Sequence, residues 1–459
     1  MILAIDIGLS AVKATLATRA GEVVQVEREP YPTLHAGPRA EQQPEDWWRA
    51  TREACARLTA RHRVDAVVPT GHMHALVLLD DAGVPLLPCL TLHDRRGAEH
   101  LLTLDAAAFH AVTGQFLEPA LPLAKLLWLA AEEPALMRRA RVALAPKDHL
   151  GWRLSGVATT DPLDAAGTGL YAAAQGRWAP ELSGVPERLL PRVERCAAVR
   201  GRVRPDAAGA LGLPESAVVL TGAGDDIELL GATGYRPDAA VENVGTSGAI
   251  LRVPDRLEGI ETLELLPTAV AGRLAVGAAV ANCAAVIAWI ETVLGVPLAD
   301  ALAAAPELGD PVAVSHLLPE RGPTADAGAL VAGLRFHHGL RDLARALLTG
   351  VAGALRELLD RIERESGDIG LLVASGSPDP AWAALRAAAY ERPIALLDAD
   401  PTALGCIALG MVALGEAAGA EAAAASIPVT AQRVEPDRER AGVIRSLRER
   451  ASYPWQATG

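Results

Sequence analysis

Twice along the chain a short apolar run carries a polar residue, then a glycine two places on and a serine two places further. The two stretches are Ile5-Asp6-Ile7-Gly8-Leu9-Ser10 and Glu242-Asn243-Val244-Gly245-Thr246-Ser247. Each leads into a second apolar run, so each reads as strand, glycine turn, strand. Behind each, segments of strand and helix spacing alternate, the signature of α/β architecture. A pattern that restarts near the middle of 459 residues implies a duplicated domain, and a chain of this length holds two or three domains. The boundary is expected within residues 232–240, giving an N-terminal domain over 1–235 and a C-terminal domain over 236–459.

Several segments have legible ends. "QPEDWWRATREACARLTA" has helical spacing, with Pro44-Glu45-Asp46 at its start. "HGLRDLARALLTGVAGALRELLDRIERESG" predicts a long helix. "HALVLLDDAGVPLLPCLTL" predicts two strands around an Asp-Ala-Gly turn. "SAVVLTGAGDD" predicts a strand ending in a glycine turn with two adjacent carboxylates, followed by a helix from Ile227.

Composition narrows the function. The net charge is −13 without a basic stripe, which argues against a nucleic-acid partner. No run of about 18 apolar residues occurs, so a membrane partner is not expected. The N-terminal apolar run is broken by Asp6 and has no charged region ahead of it, unlike a secretory leader. Cys55, Cys89, Cys196, Cys283 and Cys406 are scattered, with neither CxxC nor a Cys/His cluster. That suits a reducing cytoplasm and argues against zinc or a disulfide framework. Of 43 basic residues only Lys13, Lys125 and Lys147 are lysines. A lysine kept in so arginine-rich a chain suggests a compact point charge that a guanidinium does not replace.

Glycine turns expose backbone N–H groups and suit anions, so Gly8–Ser10 and Gly245–Gly248 are candidate phosphate sites. Taken singly, each is also an ordinary hairpin. Asp6 stands beside the first turn, where it would hold Mg2+ directly or through water. Lys13 is a candidate counter-charge. Asp225, just past a buried strand, lies where α/β domains place ligands and would serve as a general base. Its neighbour Asp226 reads equally as a helix cap. "GHMHAL" and "TLHDRR" place histidines, an aspartate and arginines in loops suited to a polyhydroxylated ligand.

These segments, in this order, resemble the FGGY family of carbohydrate kinases, and within it the xylulokinases most. The resemblance runs from "AIDIGLSAVKA" through "GHMHALVLLDDAG", "LHDRR", "AKLLW", "PKDHL", "TTDPLDAAGT", "GAGDD", "VGTSG" and "ERGPTADAGALVAGL" to "PTALGCIALGMVALG". All three lysines fall inside matching segments. The resemblance implies a two-domain actin/hexokinase-like (ribonuclease H-like) α/β fold with a duplicated core and an interdomain cleft. It implies ATP-dependent transfer of a phosphoryl group to a hydroxyl of a small-molecule sugar, with ATP and Mg2+ as cofactors. A pentulose such as D-xylulose is the leading substrate; another ketose or polyol, or sugar and nucleotide binding with weak catalysis, are the alternatives. A cytoplasmic enzyme is expected, with a homodimer as its candidate assembly.

Position by position, the resemblance makes Asp225 the catalytic base. It puts Met73, His74, Asp94 and Arg96 on the sugar, with Glu228 as an additional sugar-side carboxylate. It puts Gly8, Ser10, Lys13, Gly245, Thr246, Ser247, Ser375 and Gly376 on ATP, and Asp6 near Mg2+. The chain departs from the family pattern at Leu9, His72, Ala75, Leu92, Glu228 and the turn Ala374-Ser375-Gly376-Ser377-Pro378.

Overall fold

The computed structural model describes residues 1–245, 247–280, 282–303, 312–315, 330–375 and 379–452, with the side chains of 226–228, 313–315, 330 and 450–452 outside that description. The chain forms two compact units. The first comprises Met1–Tyr235, Glu264–Ala275 and Pro401–Pro428; the second comprises Arg236–Leu263, Val276–Asp400 and Val429–Gly459. The first change of unit comes after Tyr235, but two later segments rejoin the first unit. A single cut into 1–235 and 236–459 therefore does not describe the packing.

In the first unit, β1 (Ile2–Ile7), β2 (Ala11–Ala17) and β3 (Val23–Pro30) form an antiparallel meander. On the other side of β1 lies the parallel strand β4 (Ala66–Gly71). Beyond it, β5 (Val199–Arg202) and β6 (Val218–Leu220) complete the order β5-β6-β4-β1-β2-β3. A short strand, β7 (Ala223–Gly224), also pairs parallel with the end of β4.

The second unit repeats this plan. Its strands are β8 (Ala239–Val244), β9 (Gly248–Arg252), β10 (Leu274–Val280), β11 (Leu371–Ala374), β12 (Ile394–Leu397) and β13 (Ala431–Val434). They run in the order β10-β9-β8-β11-β12-β13. β8 is antiparallel to β9 and parallel to β11, as β1 is to β2 and β4. The echo of Asp6 by Asn243 and Gly8 by Gly245 thus falls on corresponding hairpins.

Strand alternation sends successive side chains to opposite faces. Leu3, Ile5 and Ile7 of β1 face one core, which α1 (Pro44–Thr59) covers with Trp47, Ala54 and Leu58. As expected, α1 starts at Pro44, a residue suited to a first helical turn, where its missing N–H is no loss. Ile2 faces the other way, against Gly410 of the helix Pro401–Ala413. That helix is buried from Pro401 to Met411, which explains its uniformly apolar sequence.

Four shorter helices are α2 (Pro122–Glu132), α3 (Pro146–Ser155), α4 (Pro162–Gly167) and α5 (Asp225–Leu230). α5 begins at Asp225, two residues before the expected Ile227, because β7 pairs with β4 up to Gly224. The expected long helix is α6 (Leu340–Ser366), and α7 (Pro380–Tyr390) follows β11.

Candidate active site

Glycines decide how the chain reaches Asp225. Gly222 has φ +74°, and a Cβ there would lie 1.8 Å from the carbonyl oxygen of Pro69. Only glycine combines that left-handed conformation with that approach. Gly224 is excluded from bearing a side chain by different neighbours: its Cβ would lie 2.8 Å from Met73 Sδ and 3.1 Å from Asp164 Oδ1. The chain therefore delivers Asp225 half-buried beside the end of β4, where Gly224 registers with Gly71. This is the carboxyl end of adjacent parallel strands, where open α/β sheets bind ligands.

Met73 and His74 follow β4 directly. Met73 is buried, and its methyl group would be 2.8 Å from a Cβ on Gly167. His74 has φ +59°, an uncommon conformation for a residue with a side chain. Two contacts hold it: its Nδ1 shares a hydrogen bond with the Gly167 carbonyl at 2.9 Å, and Lys125 Nζ donates to the His74 carbonyl at 3.1 Å. The same ammonium donates to the Ala120 carbonyl at 2.5 Å. His72 is buried, with its Nδ1 2.8 Å from the Ile7 carbonyl. Burial pushes its pKa down to about 4, so it is neutral at pH 7.

Asp94 is fully buried. It accepts from the Ala40 N–H at 3.0 Å and is gripped by Arg96, with Nη2 at 2.6 Å. Arg96 also donates to Glu41 at 2.6 Å and stacks 4.6 Å above the Trp128 ring. Asp94 is thus committed to orienting Arg96. Lys125 and Trp128 stand three residues apart on α2, so one helix supports both His74 and Arg96.

Behind this wall lies a buried ionic cluster. Lys147 Nζ approaches Asp148 at 2.5 Å, Asp161 at 2.8 Å and Asp164 at 3.2 Å. Arg200 lies 3.9 Å from Asp148. Burial, and repulsion from Asp161 and Asp148, push the Asp164 carboxyl well above the usual carboxylate range despite the attraction of Lys147. Lys125, Trp128, Asp164 and Gly167 were not singled out as site residues by sequence. The scarcity of lysine, and the segments "AKLLW" and "PKDHL", pointed to Lys125 and Lys147.

The two glycine hairpins are held differently. In the first, Tyr31 donates its hydroxyl to the Gly8 carbonyl, Gln42 Nε2 donates to the Leu9 carbonyl at 2.8 Å, and the Tyr31 N–H donates to the Ser10 carbonyl at 3.1 Å. Arg28 lies 3.3 Å from Ser10 Oγ. Asp6 registers with Lys13 across the β1–β2 pair. In the second, the Gly245 carbonyl accepts from Ala284 N at 2.8 Å, and Ser247 is half-buried. A Cβ on Gly248 would lie 2.8 Å from Leu355, so that glycine serves packing against α6. Thr246 and Gly376 lie outside the described residues, as does the side chain of Glu228.

Ser375 is buried and committed to its neighbours. Its N–H donates to the Glu242 carbonyl at 2.9 Å and its hydroxyl donates to Asn243 Oδ1 at 3.3 Å. Beneath it, Arg386 pairs with Glu242 at 2.8 Å, both fully buried, and Tyr390 donates its hydroxyl to Glu242. The start of the turn after β11 is thereby tied to the strand that leads into Gly245.

The residues present fit Mg2+ and a polyphosphate. Asp6 supplies a hard oxygen donor beside the first hairpin, its Oδ2 3.9 Å from where a Cβ on Gly8 would stand. A Cβ on Gly245 would meet, among the described residues, only Ser247 O at 3.8 Å. Among the described residues, packing therefore does not demand glycine there, and a glycine leaves room for close approach of a phosphate.

Two sheets of one plan, each with a glycine hairpin, and an aspartate at the carboxyl end of parallel strands define a duplicated α/β protein with a candidate ligand site. The family model for the N-terminal domain of the FGGY family of carbohydrate kinases matches residues 1–231, and the C-terminal model matches 241–414. A xylulose kinase of Klebsiella pneumoniae is 32% identical over 382 residues, 78% of each chain. One from Streptomyces rubiginosus is 32% identical over 83% of this chain and 81% of its own. The crystal structure of xylulose kinase from Rhodospirillum rubrum superposes with a TM-score of 0.85 at 26% identity, covering 99% of this chain and 98% of that one. The chain belongs to the FGGY family of carbohydrate kinases, with the actin/hexokinase-like fold. It is an ATP-dependent sugar kinase that uses Mg2+ and acts on a small-molecule sugar. Among the described residues no helix is long and apolar enough to cross a membrane.

Proposed function

We propose that the chain phosphorylates a pentulose of the D-xylulose type, with Asp225 as the general base. The observation that carries this assignment is the placement of Asp225 directly after β7, whose Gly224 lies against Met73 and registers with the end of β4. The xylulose kinases among its relatives support the pentulose. Asp225 accepts the proton of the attacking hydroxyl. Met73, His74 and Arg96 bind the sugar, Asp94 holds Arg96, and Glu228 adds a carboxylate that selects among sugars.

Asp6 holds Mg2+ directly or through water. Gly8, Ser10 and Lys13 in the first unit, and Gly245, Thr246, Ser247, Ser375 and Gly376 in the second, receive the nucleotide. Bound MgATP supplies the phosphoryl group and neutralises charge on it. The five cysteines are buried and none is in a disulfide, which suits work in a reducing cytoplasm. Light scattering distinguishes a monomer from the homodimer we propose as its assembly.

The test is ADP release from MgATP with D-xylulose, D-ribulose, L-ribulose and glycerol, for the native enzyme and Asp225→Ala. D-xylulose should stimulate most, and Asp225→Ala should lower turnover at least about 100-fold with ATP binding retained. Near-native turnover in folded Asp225→Ala would rule out the base. Stimulation by another compound alone would replace the substrate.

A further inference from the structure

We propose that Lys147 is a positioning residue for the sugar side, acting through Asp164 and α4 on Met73, His74 and the Gly224–Asp225 turn; this rests on Asp225 being the base. The argument begins with α4. This helix is only six residues long, yet both of its ends touch the sugar-side wall. At its start, Asp164 Oδ1 packs beside Met73 against Gly224, 3.1 Å from where a Cβ on that glycine would stand. At its end, the Gly167 carbonyl engages His74 Nδ1 at 2.9 Å, and the missing Cβ of Gly167 makes room for Met73 Cε. A shift of α4 would therefore move the left-handed His74, Met73 and the backbone ahead of Asp225 together.

What fixes α4 is charge. Asp161 caps it, accepting from Leu163 N at 2.8 Å and Asp164 N at 3.3 Å through Oδ1. Its Oδ2 lies 2.8 Å from Lys147 Nζ, which also reaches Asp164 at 3.2 Å. One ammonium from α3 thus grips both the cap and the first turn of α4. Arg200 lies beside the cluster and holds the carbonyls of Val157 and Thr159 at 2.8 and 2.9 Å. Gly151 is required for this, since a Cβ there would lie 1.9 Å from Arg200 Nη1.

The cluster already accommodates a guanidinium at its edge, and its centre is one of the three lysines of the chain. A compact ammonium reaches three carboxylates at once, which a planar fork of fixed geometry does not. Ionic groups buried this deeply are weak contributors to stability against a well-packed apolar alternative. Their geometric effect is the fixed seat of α4.

The test uses two variants with D-xylulose as the probe. Asp164→Asn keeps the side-chain volume and leaves two cations facing two carboxylates. Lys147→Met/Asp164→Asn retains the native charge balance, so both are expected to fold, as thermal unfolding and circular dichroism would report. The sugar KM should rise at least about 10-fold with a fall in kcat, while the KM for ATP stays within about two-fold. Sugar constants within two-fold of native in both variants would overturn the proposal. An equal loss toward sugar and ATP would overturn it too, since that marks general damage. Asp225→Asn, measured in parallel, separates the two readings. If it retains turnover, the base assignment falls. If it is inactive while the cluster variants behave as native, only the positioning role falls.

Discussion

Removing Arg386 tests how the second unit holds the turns after β8 and β11. Arg386 and Glu242 are both fully buried, and the Nη1–Oε2 distance is 2.8 Å. Arg386→Leu leaves the Glu242 carboxylate with the Tyr390 hydroxyl but without a counter-charge. Burial already pushes Glu242 up from 4.5 against the attraction of Arg386, so without that attraction it would take up a proton. Holding a carboxyl of ordinary pKa 4.5 neutral at pH 7 costs about 3.4 kcal/mol, at about 1.36 kcal/mol per pH unit. That agrees with the roughly 3–5 kcal/mol measured when one partner of a buried pair is removed.

The sign of the pH dependence follows. In the variant, the folded pKa of Glu242 lies above its unfolded value, so the folded state binds more protons than the unfolded state. Because burial also raises the native carboxyl, the deficit relative to native should grow only once that carboxyl ionises, by at most about 1.4 kcal/mol per pH unit toward pH 7. Arg386→Leu/Glu242→Gln removes the charge and should recover all but about 1–1.5 kcal/mol. Urea unfolding from pH 5 to 7.5, with hydrogen exchange of β8 and β11, measures these values. ATP affinity should fall because Ser375 and Asn243 are fastened above the pair. A deficit below about 1 kcal/mol at pH 7, or one independent of pH, would refute the reasoning.

Three other outcomes follow from the first unit. His72 is held near 4, below the ordinary 6.5, so protonation favours unfolding. Native stability should fall between about pH 6.5 and 4, and His72→Gln should flatten that slope by up to about 1.4 kcal/mol per pH unit in thermal melts; an unchanged slope would contradict the buried neutral ring. Gly222→Ala should cost more than about 2 kcal/mol in urea unfolding, because it adds left-handed strain to a 1.8 Å approach to Pro69 O; native stability would show that the turn rearranges freely. Lys125→Met should cost about 1–3 kcal/mol by withdrawing a donor from the His74 and Ala120 carbonyls, and should raise the sugar KM more than the ATP KM; unchanged kinetics would separate Lys125 from the conformation of His74.

The parts of this protein written in short stretches of chain were readable as such. The hairpins after Asp6 and Asn243, the start of α1 at Pro44 and the length of α6 come from turn chemistry and periodicity, which act over a few residues. Sequence also marked Asp225 as a candidate base, and marked Lys125 and Lys147 by the rarity of their residue type. It did not show that Asp94 is spent on Arg96, or that Ser375 is spent on Asn243 and Glu242. Arg96 is a near neighbour of Asp94 in sequence, but the Ala40 N–H that fixes Asp94, and the Asn243 and Glu242 that hold Ser375, come from elsewhere in the chain. Nor did local pattern reveal that Pro401–Pro428 packs with the first unit, since an all-apolar helix states that it is buried but not against what. Periodicity and turn residues set local dihedral angles and the face each element buries. Which buried faces meet, and which charges they bring within reach of Lys147 or Glu242, is decided by contacts between residues far apart in sequence, and only the folded chain specifies them.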